Sequence, residues 1–373
     1  MQKKVVNKSV LELARERVAH TFDRFDHVSV LFSGGKDSTV CLELALEEAI
    51  RRGRLPLDVV FYDEEALSWE TIDYIDRTRK RLGVGMRWYC IPVKHRNACS
   101  TREPFWHPWA PEKRDLWCRP LPEGAITELE GFDRRAIPEC PPLIYPPSLG
   151  QVGAITGIRA GESLRRYRSV TRRVHENYIA QAHNADWVYM VKPIYDWRTE
   201  DVWTAPNTLG WDYNRAYDVM EKAGISRHEQ RVCPPYGEEP LRNLWMYSEC
   251  WPDLWEKMLH RVPGANAAMR YSKSPVYGYS GTPEKPADVT WQEAIAGALE
   301  KWPRNVASNI AHEIKLLIGQ HNKDAGGDPI PKKEPHPKTG VSWPFLYLIA
   351  LRGDLKGRKA GNRLVKVKAE LRK

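Results

Sequence analysis

At 373 residues the chain is long enough to bury one full core and a second, smaller one. Its formal net charge of +9 favours a polyanionic partner or substrate without naming one, since anionic nucleotides, nucleic acid and acidic proteins all fit. No apolar run approaches the roughly 18 residues of a membrane-spanning helix, so no such helix is expected. The seven cysteines are scattered, with no C-x-x-C pair, which argues against a zinc or iron–sulfur site. Met1 to Val5 is not followed by the apolar core of a signal peptide, so a cytoplasmic protein is expected.

Residues 1–26 read as a helix with a polar face, with Val10, Leu11, Leu13, Ala14 and Val18 near helical spacing. The apolar run Val28 to Phe32 reads as a first strand. It runs into Ser33-Gly34-Gly35-Lys36-Asp37-Ser38 and then a helix reaching about Arg52, ended by Gly53. Strand, glycine turn and helix in this order aim backbone N–H groups at a phosphate. The spacing is not that of a Walker loop, which has four residues between its first glycine and Gly-Lys-Ser/Thr. Lys36 adds a positive charge, Ser33 and Ser38 add hydroxyls, and Asp37 offers oxygen to Mg²⁺.

Leu57 to Tyr62 reads as a second strand ending at Asp63-Glu64-Glu65, Ala66 to Leu82 as a helix, and Met86 to Val93 as a third strand. Strands alternating with helices predict a parallel α/β sheet whose ligand lies at the carboxyl ends of the strands. Ser33 and Asp63 are therefore expected on one rim, with Asp63 a second Mg²⁺ ligand or a ribose contact. Taken alone, an acid at that point reads first as a solvated helix N-terminus, where acids are favoured anyway.

Between His95 and Gly150 the periodicity fails in a stretch of ten prolines with Trp106, Trp109 and Trp117. It reads either as a lid or binding loop or as a cover for the sheet edge. Strand character returns at Gln151 to Thr156 and again at Asp186 to Val191. After the former comes Gly157-Ile158-Arg159-Ala160-Gly161-Glu162-Ser163, with Arg165, Arg166 and Arg168 behind it. A glycine turn with several guanidinium forks suits phosphate or sulfate. Thr199 is expected to cap a helix beginning at Glu200.

Beyond about residue 215 the pattern turns helical, with a capping-box match at Thr290 to Glu293 and an apolar face at Val306, Ile310, Ile314, Leu317 and Ile318. Residues 322–344 read as a linker and 352–373 as a basic tail. The organisation expected is an α/β nucleotide-binding domain over 1–215 carrying the 95–150 insertion, a helical region over 216–321, and a linker and basic segment over 322–373. The tail and the aromatic insertion leave a nucleic-acid or protein partner open.

Four stretches occur here in order: Ser33 to Ser38, the acidic end of the second strand, Gly157-Ile158-Arg159 with Glu162-Ser163, and Pro193-Ile194-Tyr195-Asp196-Trp197 with Asp201-Val202-Trp203. Together they resemble the phosphoadenosine phosphosulfate (PAPS) reductase family in its broad sense, part of the PP-loop ATP pyrophosphatase superfamily. The resemblance covers roughly residues 25–205. The remainder, including Arg231-Val232-Cys233-Pro234-Pro235-Tyr236-Gly237, resembles the DUF3440-type branch.

The resemblance implies a Rossmann-like, adenine nucleotide alpha-hydrolase-like parallel sheet of about five strands with flanking helices. It implies ATP or PAPS as ligand, with Mg²⁺. Ser33, Gly34, Gly35, Lys36, Asp37 and Ser38 would hold phosphates, and Asp63, Gly157, Arg159, Glu162, Ser163 and Arg166 the rest of the ligand. Lys36, Asp37 and Arg159 would take part in catalysis, and Asp37 and Asp63 would hold the metal. True PAPS reductases carry a nucleophilic cysteine near the C-terminus, whereas no cysteine follows Cys250 here. The intact glycine turn looks more like the ATP-using relatives, which release pyrophosphate and adenylate an acceptor. Reduction of PAPS or adenylyl sulfate, modification of a DNA or RNA acceptor, and a nucleotide-sensing regulator or DNA-associated partner module without chemistry stand as the alternatives.

Overall fold

The computed structural model describes residues 7–353 apart from 101, 163, 172–175, 177, 235, 238–240, 242–243 and 272–283. Strands run over β1 (His27–Leu31), β2 (Leu57–Tyr62), β3 (Val84–Tyr89), β4 (His95–Arg96), β5 (Phe105–Trp106), β6 (Val152–Thr156), β7 (Ile179–Ala182) and β8 (Ala185–Val191). Helices of the first half are α1 (Val10–Arg24), α2 (Lys36–Arg52), α3 (Trp69–Arg79), α4 (Pro141–Ile144), α5 (Leu164–Thr171) and α6 (Thr199–Leu209). They are followed by α7 (Ala216–Lys222), α8 (Trp245–Cys250), α9 (Pro252–Arg261), α10 (Ala265–Tyr271), α11 (Trp291–Leu299), α12 (Arg304–Asp324) and α13 (Trp343–Arg352).

Six strands form one sheet in the order β3-β2-β1-β6-β8-β7, parallel except for β7, which pairs antiparallel with β8. The fold class read from the sequence is thus the one observed, a mostly parallel α/β sheet flanked by helices. The additional strand is β7, which lies just beyond the arginine-rich stretch where no strand pattern is visible. β6 is buried at all five positions, as a central parallel strand covered on both faces should be. The first helix opens on a capping box, with Ser9 accepting from the Glu12 N–H and Glu12 accepting from the Ser9 N–H.

Chain direction across the sheet reverses at the β1–β6 pair: β2 and β3 lie to one side, β8 and β7 to the other. The register pairs Leu31 with Thr156. The chain therefore leaves β1 and β6 side by side on the same rim, at the switch point where open α/β sheets leave a crevice. Helix α6 begins one residue earlier than expected, at Thr199. The Asp201 carboxylate accepts from the Arg198 N–H at 2.7 Å, so the first turn is closed by Asp201 and Thr199 does not act as its cap.

The chain divides into two compact units, one comprising residues 1–99 and 105–269 and the other residues 100–104 and 270–373. The sheet and α1 to α10 up to Met269 lie in the first. In the second, α11 carries the expected capping box between Thr290 and Glu293. Helix α12 buries Val306, Ile310, Ile314 and Leu317, with Ile318 half-buried beside them. The Pro/Gly/Lys-rich stretch after α12 is tied down: His321 Nδ1 meets Thr339 Oγ1 at 2.8 Å, and His336, Thr339 and Ser342 are buried. Of the basic segment 352–373, residues 354–373 lie outside the described residues. Among the described residues no helix is long and apolar enough to cross a membrane.

Candidate functional site

The glycine turn after β1 is built around Gly34, whose φ of 71° is left-handed and whose hydrogen faces the Ile75 side chain, where a Cβ would come within 2.9 Å. Ser38 Oγ donates to the Gly35 carbonyl at 2.9 Å and lies 3.0 Å from Ser33 Oγ, so the turn is closed by its own hydroxyls. From outside, Asn214 Nδ2 donates to the Gly34 carbonyl at 2.9 Å and Tyr217 Oη accepts from the Lys36 N–H at 2.9 Å. The N-cap residue of α2, Gly35, offers no side-chain cap. The positive end of a 17-residue helix thus points into the crevice between β1 and β6.

That crevice is a cavity of 460 Å³. Ser33, Gly35, Lys36, Asp37 and Ser38 form one wall, and Gly157, Arg159, Gly161, Glu162 and Arg166 the facing one. Gly157 makes the closeness of the two walls feasible: a Cβ there would lie 2.6 Å from the backbone of Asp37 and of Ser38. Arg159, almost fully buried, donates through Nε to Asp37 Oδ1, and its other nitrogens lie 3.4 Å from Thr199 Oγ1 and 3.9 Å from Glu162. Arg166 pairs with Glu162 in turn. Lys36 Nζ donates to the Gln230 carbonyl at 3.2 Å and lies 3.9 Å from Asp37. Burial pushes the Lys36 pKa below the ordinary lysine value; Asp37 opposes this, while Arg159 and Arg231 push the same way.

The far wall comes from a segment whose sequence indicated only helical character. Tyr217, Arg227, His228, Arg231, Val232 and Cys233 all border the cavity. The one sequence signal that could have found them is the Arg231 to Gly237 stretch, whose resemblance to the DUF3440-type branch drew attention without assigning a role. Five cationic side chains, Lys36, Arg159, Arg166, Arg227 and Arg231, line the cavity against the two carboxylates Asp37 and Glu162. The surplus of positive charge, with the helix N-terminus, suits a ligand bearing two or more phosphate or sulfate groups. Solvent reaches Cys233, yet the protein packed around it, with the Glu64 carboxylate nearby, pushes its thiol up to about 11.

Asp63 is not part of this cavity. Its carboxylate is buried, accepting from Trp88 Nε1 at 2.8 Å, Trp109 Nε1 at 3.2 Å and the Glu65 N–H at 2.9 Å, and it pairs with Arg119. Three of these donors meet Oδ1 and one meets Oδ2, and the side chain has no exposed surface, so no open face is left for Mg²⁺ or a ribose hydroxyl. The reason lies in the 95–150 insertion, whose Trp109 and Arg119 fold over the end of β2. Asp37 and Glu162 are the acids at the cavity, and both are paired with arginines. Among the described residues no group of three or more His, Cys, Asp or Glu is arranged to hold a metal ion. Ser163 lies outside the described residues.

The sequence model of the phosphoadenosine phosphosulfate reductase domain matches residues 27–220, more than half of the chain. The chain belongs to this PAPS reductase domain family. A second model, a domain of unknown function (DUF3440), matches residues 224–331 and so includes the Arg227 to Cys233 wall. Uncharacterized protein YbdN of Escherichia coli (strain K12) is 28% identical over 93% of this chain and 88% of its own length. Uncharacterized protein MJ0066 of Methanocaldococcus jannaschii is 26% identical over 64% of this chain, which spans 42% of that protein. Among solved structures, Candida glabrata FMN adenylyltransferase aligns at 16% identity over 58% of this chain and 62% of its own, with a TM-score of 0.35. A PAPS reductase from Candida auris in a phosphate complex aligns at 13% identity over 59% and 94%, with a TM-score of 0.31. Within the PAPS reductase domain family, this chain pairs the phosphate-type turn of 33–38 with the arginine wall of 157–166 in one cavity.

Proposed function

We propose that the protein is a PP-loop ATP pyrophosphatase: it binds ATP and transfers the adenylyl group to an acceptor. The observation that supports this reading best is the convergence of the α2 N-terminus, Lys36 and Arg159 on one cationic cavity at the β1–β6 switch point. The β and γ phosphates would lie on the N–H groups of residues 34–38 and on Lys36. Arg159, released from Asp37, would meet the α-phosphate, and Arg166 and Ser163 would hold the outer part of the ligand. An acceptor oxygen would attack the α-phosphorus; the bond from that phosphorus to the β-bridging oxygen would break, and pyrophosphate would leave with the electron pair. Donors aimed at the leaving group favour that step because its charge grows in the transition state. Asp37, once Arg159 turns to the ligand, would hold Mg²⁺ together with phosphate oxygens. The metal's contribution is to neutralise phosphate charge.

A second reading, reduction of PAPS or adenylyl sulfate, draws on Cys233 at the cavity wall. Thiol attack on sulfur needs a thiolate, and a thiol held near 11 is almost wholly protonated at neutral pH. The adenylyl-transfer reading therefore stands first.

The test is incubation with Mg²⁺ and α-labelled ATP, with and without sulfate, DNA or RNA, beside a Lys36→Ala control. AMP or an adenylated product, reduced at least a hundredfold in the control, is the expected outcome. ADP as the product, or ATP retained without turnover under every condition, would overturn adenylyl transfer. The latter result would favour a nucleotide-sensing regulator. Reductase activity that survives in a Cys233→Ser, Cys250→Ser double variant would remove a redox thiol from the second reading.

A further inference from the structure

A second cavity, of 560 Å³, opens on the other side of Lys36 and Tyr217. Its walls are aromatic, from Trp203 on α6, Trp211 and Tyr213 in the following turn and Tyr217 on α7. Trp203 and Tyr217 meet edge to face with centroids 4.9 Å apart, and the Lys36 ammonium lies 5.8 Å from one ring and 5.4 Å from the other. Gln230, fully buried, also lines this cavity.

Two polar atoms of these walls have no hydrogen-bond partner: Trp203 Nε1, a donor, and Gln230 Oε1, an acceptor. The Gln230 amide is oriented by its own nitrogen, which donates to Glu221 Oε2 and to the Ile225 carbonyl, both at 2.9 Å, so the oxygen is the end left without a partner. Orphaned buried groups of this kind are costly, and both belong to residues that line this cavity, so a ligand that presses in against those side chains could answer a donor and an acceptor together. The charges here balance. Lys36 and Arg227 face Asp218 and Glu221, and those carboxylates are engaged by Tyr213 and by Gln230 and Arg227. In the first cavity, by contrast, cations outnumber acids.

We propose that this second cavity binds a nucleobase, distinct from the base of the nucleotide whose phosphates occupy the first. A nucleobase is planar and uncharged, stacks on tryptophan and tyrosine faces, and carries an acceptor and a donor on one edge. Lys36 forms part of both cavities, so a base-bearing molecule seated here lies against the lysine that faces the phosphates. That this molecule is the acceptor rests on the adenylyl-transfer reading; that it binds does not.

The experiment is equilibrium dialysis of the full chain against each of the four labelled ribonucleosides, alone and with saturating non-hydrolysable ATP analogue. A parallel arm uses octaribonucleotides at two salt concentrations. Two variants are compared: Trp203→Phe, which keeps an aromatic face of smaller area and loses the indole N–H, and Asn207→Trp, an exposed rim position where a large side chain obstructs the opening. Melting curves verify that both fold. The expected result is saturable binding of at least one nucleoside together with the analogue. It should weaken about three- to tenfold in Trp203→Phe and more than about tenfold in Asn207→Trp. Tighter, salt-sensitive octamer binding would place the base in a nucleic acid; equal or weaker octamer binding would place it in a free nucleotide or nucleoside. Either supports the site.

Failure of all four nucleosides to bind would overturn the proposal, as would binding that neither variant alters. Displacement by the ATP analogue would make this the seat of ATP's own base and overturn the second ligand. Nucleoside binding in a protein that releases no pyrophosphate would leave this inference standing and remove the adenylyl-transfer reading; pyrophosphate release without nucleoside binding would do the reverse.

Discussion

Two neighbouring strands of the sheet lead into segments that carry carboxylates, in the first turn of α2 after β1 and directly at the end of β2, and the two have opposite fates. After β1, Asp37 stays at an open cavity beside Lys36 and Arg159. After β2, Asp63 and Glu65 are sealed: Arg119 pairs with Asp63, and Arg261 pairs with Glu65 at 2.8 and 2.9 Å while donating to the His107 carbonyl at 2.6 Å. Glu65 also accepts from the Trp109 N–H at 2.7 Å and the Cys118 N–H at 3.1 Å. At one end the charges pair with each other at the wall of an open cavity; at the other they are paired and closed off within the chain. The lesson is that a carboxylate at a strand's end marks a place where the fold can put charge, and a distant segment decides whether that charge serves a ligand or the core.

The largest effect should come from breaking the sealed end. Glu65→Ala would strand the Arg261 guanidinium in the interior and orphan two backbone N–H groups. A lost buried partner costs about 3–5 kcal/mol, so we expect a large drop in urea midpoint, read by fluorescence, with nucleotide affinity changing only as folding fails. At the open end, Lys36→Ala should do the opposite, leaving the unfolding free energy within about 1 kcal/mol of wild type and removing nucleotide binding. If Glu65→Ala instead proves mild and abolishes binding in a folded protein, the sealed end belongs to the site.

The contrast also separates what was legible in the sequence from what was not. Ser33 to Ser38 and Gly157 to Arg166 could be read because each is local, a turn with its flanking strand and helix. Parallel alternation then placed them on one rim, and the register of Leu31 with Thr156 brings them together. Asp63 obeyed the same local logic and went elsewhere, because Trp109 and Arg119 reach it from about fifty positions along the chain. The choice between lid and edge cover for the insertion was undecidable for that reason. In the structure Trp109, Cys118 and Arg119 cap the end of β2, and the cavity beside Lys36 is walled by other segments. Asn214 and Tyr217 escape a sequence reading because nothing in Asp212 to Asp218 sets them apart locally. Their role appears only once α7 is packed against the glycine turn.

An intermediate effect should come from the contact that keeps the open cavity narrow. In Gly157→Ala the new methyl would fall 2.6 Å from the Asp37 and Ser38 backbone, which cannot turn aside as a side chain would. Overpacking of this kind costs about 1–3 kcal/mol, so we expect a modest fall in melting temperature. The two walls must separate, so nucleotide binding should fall at least tenfold. Gly161→Ala, on the same loop with open space around it, is the matched control and should change neither. Equal behaviour of the two variants would show that the approach of the walls is not what shapes the site.

The smallest effect is a pH dependence, and it bears on the open end alone. Burial lowers the Lys36 pKa below its usual 10.5. An unfolded chain keeps that proton to higher pH than the folded one, so across the interval between the two values the unfolded state binds more protons and stability rises with pH. Nucleotide binding runs the other way, because the phosphates require the charged ammonium; affinity should fall as pH rises through the folded value. Phosphates approaching the ammonium raise its pKa again, so binding in that interval should take up a proton, visible as a buffer-dependent heat. As pH rises from neutral toward the ordinary lysine value we expect a progressive loss of affinity, the ammonium being given up earlier than in a free lysine. Lys36→Arg, which holds its charge throughout, should flatten the curve. An affinity independent of pH in the wild type would mean that the ammonium does not meet the phosphates. The cationic cavity would then owe its attraction to the arginines and the helix terminus, and Lys36 would belong to the aromatic cavity behind it.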